Sequence, residues 1–341
     1  MVANINIAIL GATGLVGQTM LQILEEQNFS IGKLYALASI RSEGKTVVFN
    51  NKAIQVENVA QFDFTKVQIA LFSAGSAVSQ IYAPLAAQAG CIVIDNTSAF
   101  RYDSEVPLII PEVNPEVLSL YKKRNIIANP NCSTIQMLVA LKPIYDAVGI
   151  SRINVATYQS VSGTGTQAIN ELMNQTSELL QGRPIDNPQC YGKQIAFNVL
   201  AACDIYQPNG YTKEEMKMHW ETQKILEDDA IQVNATSVRV PVFYGHSEAI
   251  HIETKEKLSA LAAKKLLENA PGVIVIDGSA ENFEYPTPFE QATGTDGVYV
   301  GRIREDFTHS TGLNLWVVAD NIRKGAALNS IQIAQMLLKY I

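Results

Sequence analysis

The stretch Ile5-Asn-Ile-Ala-Ile-Leu-Gly-Ala-Thr-Gly-Leu-Val-Gly17 decides the fold of the N-terminal part of this chain. The apolar run Ile5–Leu10 predicts a buried strand, and Leu15–Glu26 carries apolar residues at helical spacing. The glycines between them let a backbone approach a pyrophosphate, which the helix N-terminus attracts through its free N–H groups and dipole. The alternative is a tight turn that binds nothing. We predict a dinucleotide site at this turn, with cofactor-binding residues Gly11, Thr13, Gly14, Leu15 and Val16.

Strand and helix signals alternate over the first 130 residues. Alternation of this kind is typical of a parallel sheet with helices on both faces, so we predict an α/β fold with a Rossmann-type domain. The further predicted strands are Lys33–Leu37, Ile69–Phe72, Cys91–Ile94 and Asn125–Ala128, and the further helix is Ala77–Ala89.

From residue 132 the pattern becomes that of an α+β domain with a mainly antiparallel sheet, whose long apolar strands indicate an oligomer interface. Its predicted helices are Ser133–Val148, Gln167–Leu180 and Lys213–Leu226; its predicted strands are Asn154–Gln159, Ala235–Phe243, Ala249–Lys255 and Gly297–Ile303; Gly182–Gln189 is rich in Pro and Asn. A final helix, Asn321–Ile341, is expected to fold back onto the first domain. The expected domains are therefore 1–131 with 320–341 for the dinucleotide, and 132–319 for catalysis and dimerisation.

Composition and charge exclude several classes of protein. The 341 residues are 47% hydrophobic and 17% charged, an ordinary globular balance, and the net charge of −7 argues against a nucleic-acid partner. No run approaches the ~20 apolar residues that span a bilayer, so no membrane partner is expected. Met1–Asn6 lacks the charged start of a signal peptide, and the cysteines lack CxxC spacing, which favours a cytoplasmic location. No His, Cys and carboxylate cluster has metal-ligand spacing, so no metal is expected.

The residues after the second predicted strand indicate which dinucleotide binds. A fold that prefers NAD places an acidic residue there to bind the ribose 2′-hydroxyl. This chain has Ala38-Ser-Ile-Arg-Ser42 instead, so Arg41 with Ser39 and Ser42 can clamp a 2′-phosphate. A solvated loop arginine is the alternative. We predict NADP as the cofactor.

The stretch Asn129-Pro-Asn-Cys-Ser-Thr-Ile-Gln136 predicts a nucleophile. Cys132 lies at or just before a helix start, where free N–H groups stabilise a thiolate and an oxyanion. A buried structural cysteine is the alternative, and it suits Cys91 better. A cysteine nucleophile beside a nicotinamide indicates thioester and thiohemiacetal chemistry linked by hydride transfer.

Eight motifs, in order, carry a resemblance to a known family. The sequence resembles the aspartate-semialdehyde dehydrogenases over essentially its whole length. The motifs are Gly11–Gly17, Ser98-Ala-Phe-Arg101, Asn129-Pro-Asn-Cys-Ser-Thr134, Tyr158-Gln159, Lys213-Glu-Glu-Met-Lys217, Val238-Arg-Val-Pro241, Gly245-His-Ser247 and Asp320-Asn-Ile-Arg-Lys-Gly-Ala326.

The resemblance implies catalytic roles for three residues. Cys132 would form the acyl-thioester, and Gln159 would orient the acyl group. His246 would be the general acid and base, which suits a group that titrates near neutrality. The remaining cofactor-binding residues would be Ser73, Ser162, Gly163 and Asn321.

The resemblance also implies how substrate binds. Arg239 stands in an apolar strand, where an unpaired charge is expensive, so it needs an anion; the resemblance supplies the substrate carboxylate, and a structural salt bridge is the alternative. Glu214 and Lys217 lie three residues apart and could be an ordinary solvated pair. The resemblance instead assigns Glu214 to the substrate ammonium and Lys217 to phosphate. Arg101, for phosphate, and Asn131 complete the implied substrate site.

The implied reaction is NADPH-dependent conversion of L-aspartyl 4-phosphate to L-aspartate 4-semialdehyde and phosphate, in lysine, threonine and methionine biosynthesis. The resemblance further implies a homodimer or homotetramer. An N-acetyl-glutamyl-phosphate reductase shares this chemistry, but its blocked amine would gain nothing from Glu214. A non-catalytic homologue serving as an assembly subunit is the other alternative, and it is expected to lack the nucleophile or the base.

Overall fold

The computed structural model describes residues 5–185, 187–279 and 281–340. Expectations for Met1–Asn4, Asp186 and Ile341 lie outside the described residues. The chain divides into two compact units, the first formed by Met1–Asn131 with Ala326–Ile341 and the second by Cys132–Gly325. The C-terminal segment of the first domain was expected to begin at residue 320, whereas this division begins it at Ala326. No helix in the described ranges is long and apolar enough to cross a membrane.

The first unit is a seven-stranded sheet with helices, and its mainly parallel strands confirm the predicted Rossmann-type sheet. The strand order is β3-β4-β2-β1-β5-β6-β7, and every pair is parallel except β3 with β4. Apolar residues of β1, α1 and α7 share one core. The elements are β1 Ile5–Leu10, α1 Leu15–Glu26, β2 Ile31–Ala38, β3 Thr46–Phe49, β4 Lys52–Asn58, β5 Ile69–Phe72, α2 Ser76–Gln88, β6 Ile92–Asp95, β7 Ile126–Ala128 and α7 Leu328–Leu337.

The β3–β4 hairpin at the sheet edge was not predicted. Its two-residue turn is formed by Asn50 and Asn51, with φ of +48° and +59°. Asparagine tolerates this left-handed region, and two such residues match the twist of a hairpin.

The second unit contains a six-stranded sheet of order β11-β12-β13-β10-β8-β9. Its three central pairings are antiparallel and the two outer ones are parallel, which confirms a mainly antiparallel sheet. Helices α3, α5 and α6 pack on the sheet. The elements are α3 Cys132–Val148, β8 Ile150–Gln159, α4 Thr166–Leu180, α5 Lys213–Leu226, β9 Gln232–Arg239, β10 His246–Thr254, α6 Ala260–Glu268, β11 Val273–Val275, β12 Val298–Glu305 and β13 Gly312–Ala319.

Two predicted bounds were wrong in ways that affect the site. Strand β9 ends at Arg239 rather than Phe243, because Pro241 has no N–H to donate to a sheet. The chain then turns, and the Val242 carbonyl accepts the Val161 N–H over 2.9 Å. Strand β10 begins at His246 rather than Ala249, so that histidine is a strand residue.

The C-terminal helix was also predicted to begin too early. The Asp320 carboxylate accepts the N–H groups of Ile322 and Arg323 over 2.8 and 2.9 Å, which caps a short turn. A π-helical turn at Arg323–Ala327 follows, and α7 begins at Leu328 rather than at Asn321.

Candidate active site

The glycine-rich turn of the first unit has no room for side chains at two positions. Gly11 has φ of +91°, and a Cβ there would lie 2.9 Å from Ser73 Oγ. A Cβ on Gly17 would lie 2.2 Å from the Gly11 carbonyl oxygen. Helix α1 begins after Gly14, and in this described stretch its N-terminus has no capping side chain and no acidic residue in the first turn. The first-turn N–H groups can therefore bind an anion.

The other predicted cofactor residues of this unit follow neighbouring strands. Strand β1 pairs with β2 on one side and β5 on the other, and all three run parallel. Gly11, Ser39 and Ser73 follow their carboxyl ends, which is where open α/β sheets bind ligands. Arg41 is exposed, and it shares a short 3-10 helix with Ser42. Their roles in cofactor binding stay predictions.

Arg101 is a buried cation of the first unit. Its Nε donates to the Asn129 carbonyl oxygen over 2.9 Å and its Nη2 to the Asn96 carbonyl oxygen over 3.0 Å. The Asn129 side chain in turn donates to Asn96 Oδ1 and accepts from Asn329, both over 2.7 Å. Asn131, also buried, directly precedes α3. The phosphate role of Arg101 and the substrate role of Asn131 stay predictions.

Cys132 is the first residue of α3, which confirms the predicted helix start, and it is partly exposed. The backbone of Gly325 packs directly against it, because a Cβ on Gly325 would lie 2.7 Å from the Cys132 Cβ. Burial raises the pKa of Cys91 to about 12 and that of Cys203 to about 11. Those two thiols are protonated at neutral pH, and Cys91 is buried, as predicted.

The sheet register brings Gln159, Arg239 and His246 to one end of three adjacent strands. Arg239 on β9 pairs with Gln159 on β8, and Tyr158 pairs with Ser247 on β10. Since side chains alternate along a strand, Gln159 and His246 face the same side of the sheet.

Gln159 connects this sheet face to two helices. It is only 1% exposed. Its Nε2 lies 3.1 Å from Oγ of Ser133, the neighbour of Cys132 on α3, and 3.2 Å from Oε1 of Glu214 on α5. These contacts hold the Gln159 amide beside the predicted nucleophile and the predicted ammonium ligand.

His246 is fully buried, and its two ring nitrogens differ. The Ser160 N–H donates to Nδ1 over 3.1 Å, and Ser160 Oγ lies at the same distance from that nitrogen. Nε2 has no hydrogen-bond partner within the described part of the chain. Burial, and then the Arg239 charge, lower the pKa of His246 to about 3, against an opposing effect of Glu214. Ser160 was missed by sequence analysis, since a serine after a strand carries no distinguishing signal.

Ser162 and Asn321, predicted to bind cofactor, lie in a buried network next to His246. Asn321 Oδ1 accepts the Gly245 N–H over 2.9 Å and the Ser162 hydroxyl over 3.1 Å. A Cβ on Gly163 would lie 3.1 Å from Arg239 Nη1 and 3.3 Å from His246 Nε2. These residues thus position His246, and their contact with cofactor stays a prediction.

Arg239 has a buried guanidinium, to which the described residues give one hydrogen bond. Its Nη1 donates to the Ser160 carbonyl oxygen over 2.7 Å, and its Cζ lies 5.7 Å from the centre of the Tyr191 ring. Its Nε is buried and has no partner among the residues that the structure describes. A carboxylate would satisfy this edge with two parallel hydrogen bonds.

Glu214 and Lys217 are more than a solvated pair. Lys217 Nζ lies 2.8 Å from both Glu214 Oε2 and Asp204 Oδ2. Burial acts to lower the pKa of Lys217, but the two carboxylates together raise it above its ordinary value. All three side chains, with Arg239 and Tyr191, line a cavity of about 930 Å³. Tyr191 and Asp204 were not singled out from the sequence, because only tertiary structure brings them to this cavity.

No cluster of His, Cys, Asp and Glu suited to a metal ion occurs within residues 5–185, 187–279 and 281–340. The groups that the structure gathers are instead a thiol, an imidazole, an amide and charged residues beside a cavity. This set suits acyl transfer through a cysteine.

Comparisons with known proteins agree with this chemistry. Residues 6–121 match the semialdehyde dehydrogenase NAD binding domain, and residues 141–324 match the semialdehyde dehydrogenase dimerisation domain. The chain is 63% identical to an aspartate-semialdehyde dehydrogenase of Shewanella sp. (strain DB6705), over 98% of each chain.

Solved structures give the same result. Aspartate-semialdehyde dehydrogenase II of Vibrio cholerae, complexed with ASA, is 56% identical with a TM-score of 0.96 over 99% of both chains. The Candida albicans enzyme with NADP is 25% identical with a TM-score of 0.78, over 99% of this chain and 100% of that one. The chain therefore belongs to the aspartate-semialdehyde dehydrogenase family.

Proposed function

We propose that the chain is an NADP-dependent aspartate-semialdehyde dehydrogenase of lysine, threonine and methionine biosynthesis. It converts L-aspartyl 4-phosphate to L-aspartate 4-semialdehyde and phosphate through a thioester on Cys132. The observation that carries the proposal is the buried Arg239, whose Nε is without a partner in the described residues and whose side chain lines the same cavity as Glu214 and Lys217.

Substrate recognition follows from the charges around this cavity. The α-carboxylate binds Arg239, which already directs Nη1 to the Ser160 carbonyl oxygen. The α-ammonium binds Glu214, a 7% exposed carboxylate. Lys217 is held protonated by Glu214 and Asp204, and it binds the phosphate. An acidic protein needs such local cations to hold a dianion.

The acyl transfer is carried out by three side chains. The Cys132 thiolate forms a bond to C4 of the acyl phosphate, and the bond from C4 to the phosphate oxygen breaks, so phosphate leaves. The Ser160 N–H occupies Nδ1 of His246, so the neutral ring keeps its proton on Nε2 and donates a hydrogen bond to the acyl oxygen of the substrate. Gln159 orients the acyl group. This geometry supports hydrogen-bond donation by His246 to the acyl oxygen, and its general acid and base roles stay predictions.

The first unit suits a dinucleotide. The open N-terminus of α1 accepts a pyrophosphate, and Arg41 after β2 accepts a 2′-phosphate. A relative of known structure, the Candida albicans enzyme, has NADP bound. The chemistry that the bound nicotinamide supplies is hydride transfer.

The proposal includes a homodimer or homotetramer in the cytoplasm. It is supported by the match of residues 141–324 to a dimerisation domain and by an open aromatic hollow of about 420 Å³ lined by Phe283, Tyr285 and Trp316. A second copy of the chain would cover this hollow. Light scattering after size-exclusion chromatography tests the oligomeric state, and a monomer at all concentrations would refute it.

The proposed cytoplasmic location is supported by the cysteines. They carry no disulfide, which suits a reducing compartment.

One assay tests the activity. NADPH formation is followed from L-aspartate 4-semialdehyde, phosphate and NADP, with wild type, Cys132→Ser and, as a control, Cys91→Ala. We expect phosphate-dependent turnover by wild type and the control, and none by Cys132→Ser. Full activity of Cys132→Ser would refute the thioester mechanism. Reduction of N-acetylglutamyl phosphate but not aspartyl phosphate would favour the reductase alternative, and the absence of any turnover would favour the assembly subunit.

A further inference from the structure

Strand β10 carries a carboxyl group for which the reaction above has no use. Glu248 lies two residues after His246 on the same face of the strand and is 0% exposed. Neither of its oxygens has a hydrogen-bond partner among the described residues. A buried, unpaired carboxylate is very costly, so the group is more stable as the neutral acid. Burial raises the pKa of Glu248 well above its ordinary value.

Helix α3 packs on strand β10, and the Gln136 side chain of α3 lowers the Glu248 pKa against the larger opposite effect of burial. Gln136 Nε2 donates to the His246 carbonyl oxygen over 3.4 Å, while Gln136 Oε1 is buried without a partner in the described part of the chain. A neutral carboxyl has one O–H to donate, and Oε1 is an acceptor. One hydrogen bond between them would satisfy Gln136 Oε1 and one of the two Glu248 oxygens.

The two cross-strand neighbours of Glu248 offer it no charge. Across the sheet it pairs with Thr157 on β8 and with Val317 on β13. Neither residue ionises, and the Thr157 hydroxyl already lies 3.2 Å from Gln159 Nε2. Gln136 is therefore the acceptor that this environment provides for a neutral acid.

The position of Gln136 gives this contact a role. Gln136 lies one helical turn after Cys132 on α3, and Glu248 lies two residues after His246 on β10. We propose that Glu248 is a positioning residue: as a neutral acid it donates to Gln136, and so fixes the helix that begins at Cys132 against the strand that begins at His246. The proposal rests on the roles proposed above for Cys132 and His246.

Kinetics of Glu248→Gln and Glu248→Leu test the positioning role. The glutamine side chain has the shape of the glutamic acid and keeps a hydrogen-bond donor for Gln136. We therefore expect kcat within about threefold of wild type. The leucine fills the space without a donor, so we expect kcat to fall ~10–100-fold, as when reacting groups are misplaced, with KM for the semialdehyde within about threefold. Glu253→Leu, on the same strand but less buried, is the control and should act as wild type. An unchanged kcat in Glu248→Leu, or an equal fall in both Glu248 variants, would overturn the proposal.

Thermal unfolding tests the neutral acid without any need for turnover. A folded-state pKa above the unfolded value of about 4.3 means that the wild type loses stability as pH rises towards the folded pKa. Glu248→Gln has no such group. The Tm of the variant minus the Tm of wild type should therefore be greater at pH 8 than at pH 5, by ~3 °C or more. A pH-independent difference would refute the neutral acid. Wild type that unfolds as expected but does not turn over the semialdehyde would refute the proposed function instead.

Discussion

The backbone N–H of Ser160 donates a hydrogen bond to Nδ1 of His246 over 3.1 Å. A backbone amide can only donate, so Nδ1 carries no proton and the neutral imidazole is protonated on Nε2. Burial, followed by the Arg239 charge, lowers the pKa of His246 to about 3, so the ring is neutral at physiological pH. The histidine therefore presents a hydrogen-bond donor to its surroundings, and this can be measured in the free enzyme.

The tautomer of His246 is the first prediction. In protein labelled with ¹⁵N histidine, we expect His246 to show a protonated Nε2 and an unprotonated Nδ1 from pH 8 down to pH 5, because protonating the buried ring is unfavourable. The chain has four histidines, and spectra of His246→Gln identify the resonance. A His246 resonance that titrates near pH 6.5 would contradict the assignment.

The same low pKa predicts a dependence of stability on pH. Unfolded histidine has a pKa of about 6.5, so below that pH the unfolded state gains a proton that the folded His246 does not. Stability is therefore present above pH 6.5 and is lost as pH falls towards 3, with a loss of ~2 kcal/mol by pH 5. His246→Gln cannot titrate, so its free energy of unfolding should fall less than that of wild type from pH 7.5 to 5. Parallel curves would rule this out, and Glu248, present in both proteins, cancels in the comparison.

The contact between Gly325 and Cys132 is the basis of the third prediction. A methyl group on Gly325 would lie 2.7 Å from the Cys132 Cβ, so one of them must move. We expect Gly325→Ala to lower kcat ~100-fold, because small displacements of a nucleophile are costly, and to lower stability by ~1–3 kcal/mol. Gly90→Ala is the control: it strains a residue with φ of +86° where nothing lies within 4 Å. It should lose stability but keep its kcat. If Gly90→Ala lost as much kcat as Gly325→Ala, the fall in kcat of Gly325→Ala would reflect only its lower stability.

Some features of the fold and of the site could be predicted from the sequence, and others could not. Strand β1 and helix α1 were predicted with their observed bounds, because apolar periodicity and glycine spacing are local signals. The helix start at Cys132 was likewise local, since Pro130 precedes an apolar-periodic run. Ser160 and Glu248 gave no signal of this kind. Their importance depends on which group lies across a sheet or beneath a helix.

Arg239 could be predicted from the sequence only in part. The sequence indicated that a guanidinium in an apolar strand needs an anion, and the structure shows which of its edges is without a partner in the described residues. The strand was nevertheless predicted to continue to Phe243, whereas it ends at Arg239, which places this residue at the end of the sheet rather than within it. A proline two residues further on was the signal that should have ended the strand.

Substrate selectivity at Arg239 is the fourth prediction. Arg239→Lys keeps the charge but loses the planar fork, so two hydrogen bonds to a carboxylate become one at best. We expect kcat/KM for aspartate semialdehyde to fall ~10–100-fold, mainly through KM, as for loss of a charge-assisted hydrogen bond. With 3-aminopropanal, which lacks the α-carboxylate, wild type and variant should have similar kcat/KM. An equal fall with both aldehydes would assign Arg239 a structural role instead.

Cofactor choice at Arg41 is the last prediction. Arg41 is exposed after β2, so its replacement by alanine should leave the fold unchanged. Loss of a charge-assisted contact with the 2′-phosphate costs ~1.5–3 kcal/mol, so KM for NADP should rise ~10–100-fold while KM for NAD, which lacks that phosphate, stays nearly constant. Lys52→Ala, which removes another exposed cation of the same unit, should change neither value. Since salt screens exposed charges, the NADP effect should also shrink at high ionic strength. Equal changes for both dinucleotides would mean that Arg41 does not select the cofactor.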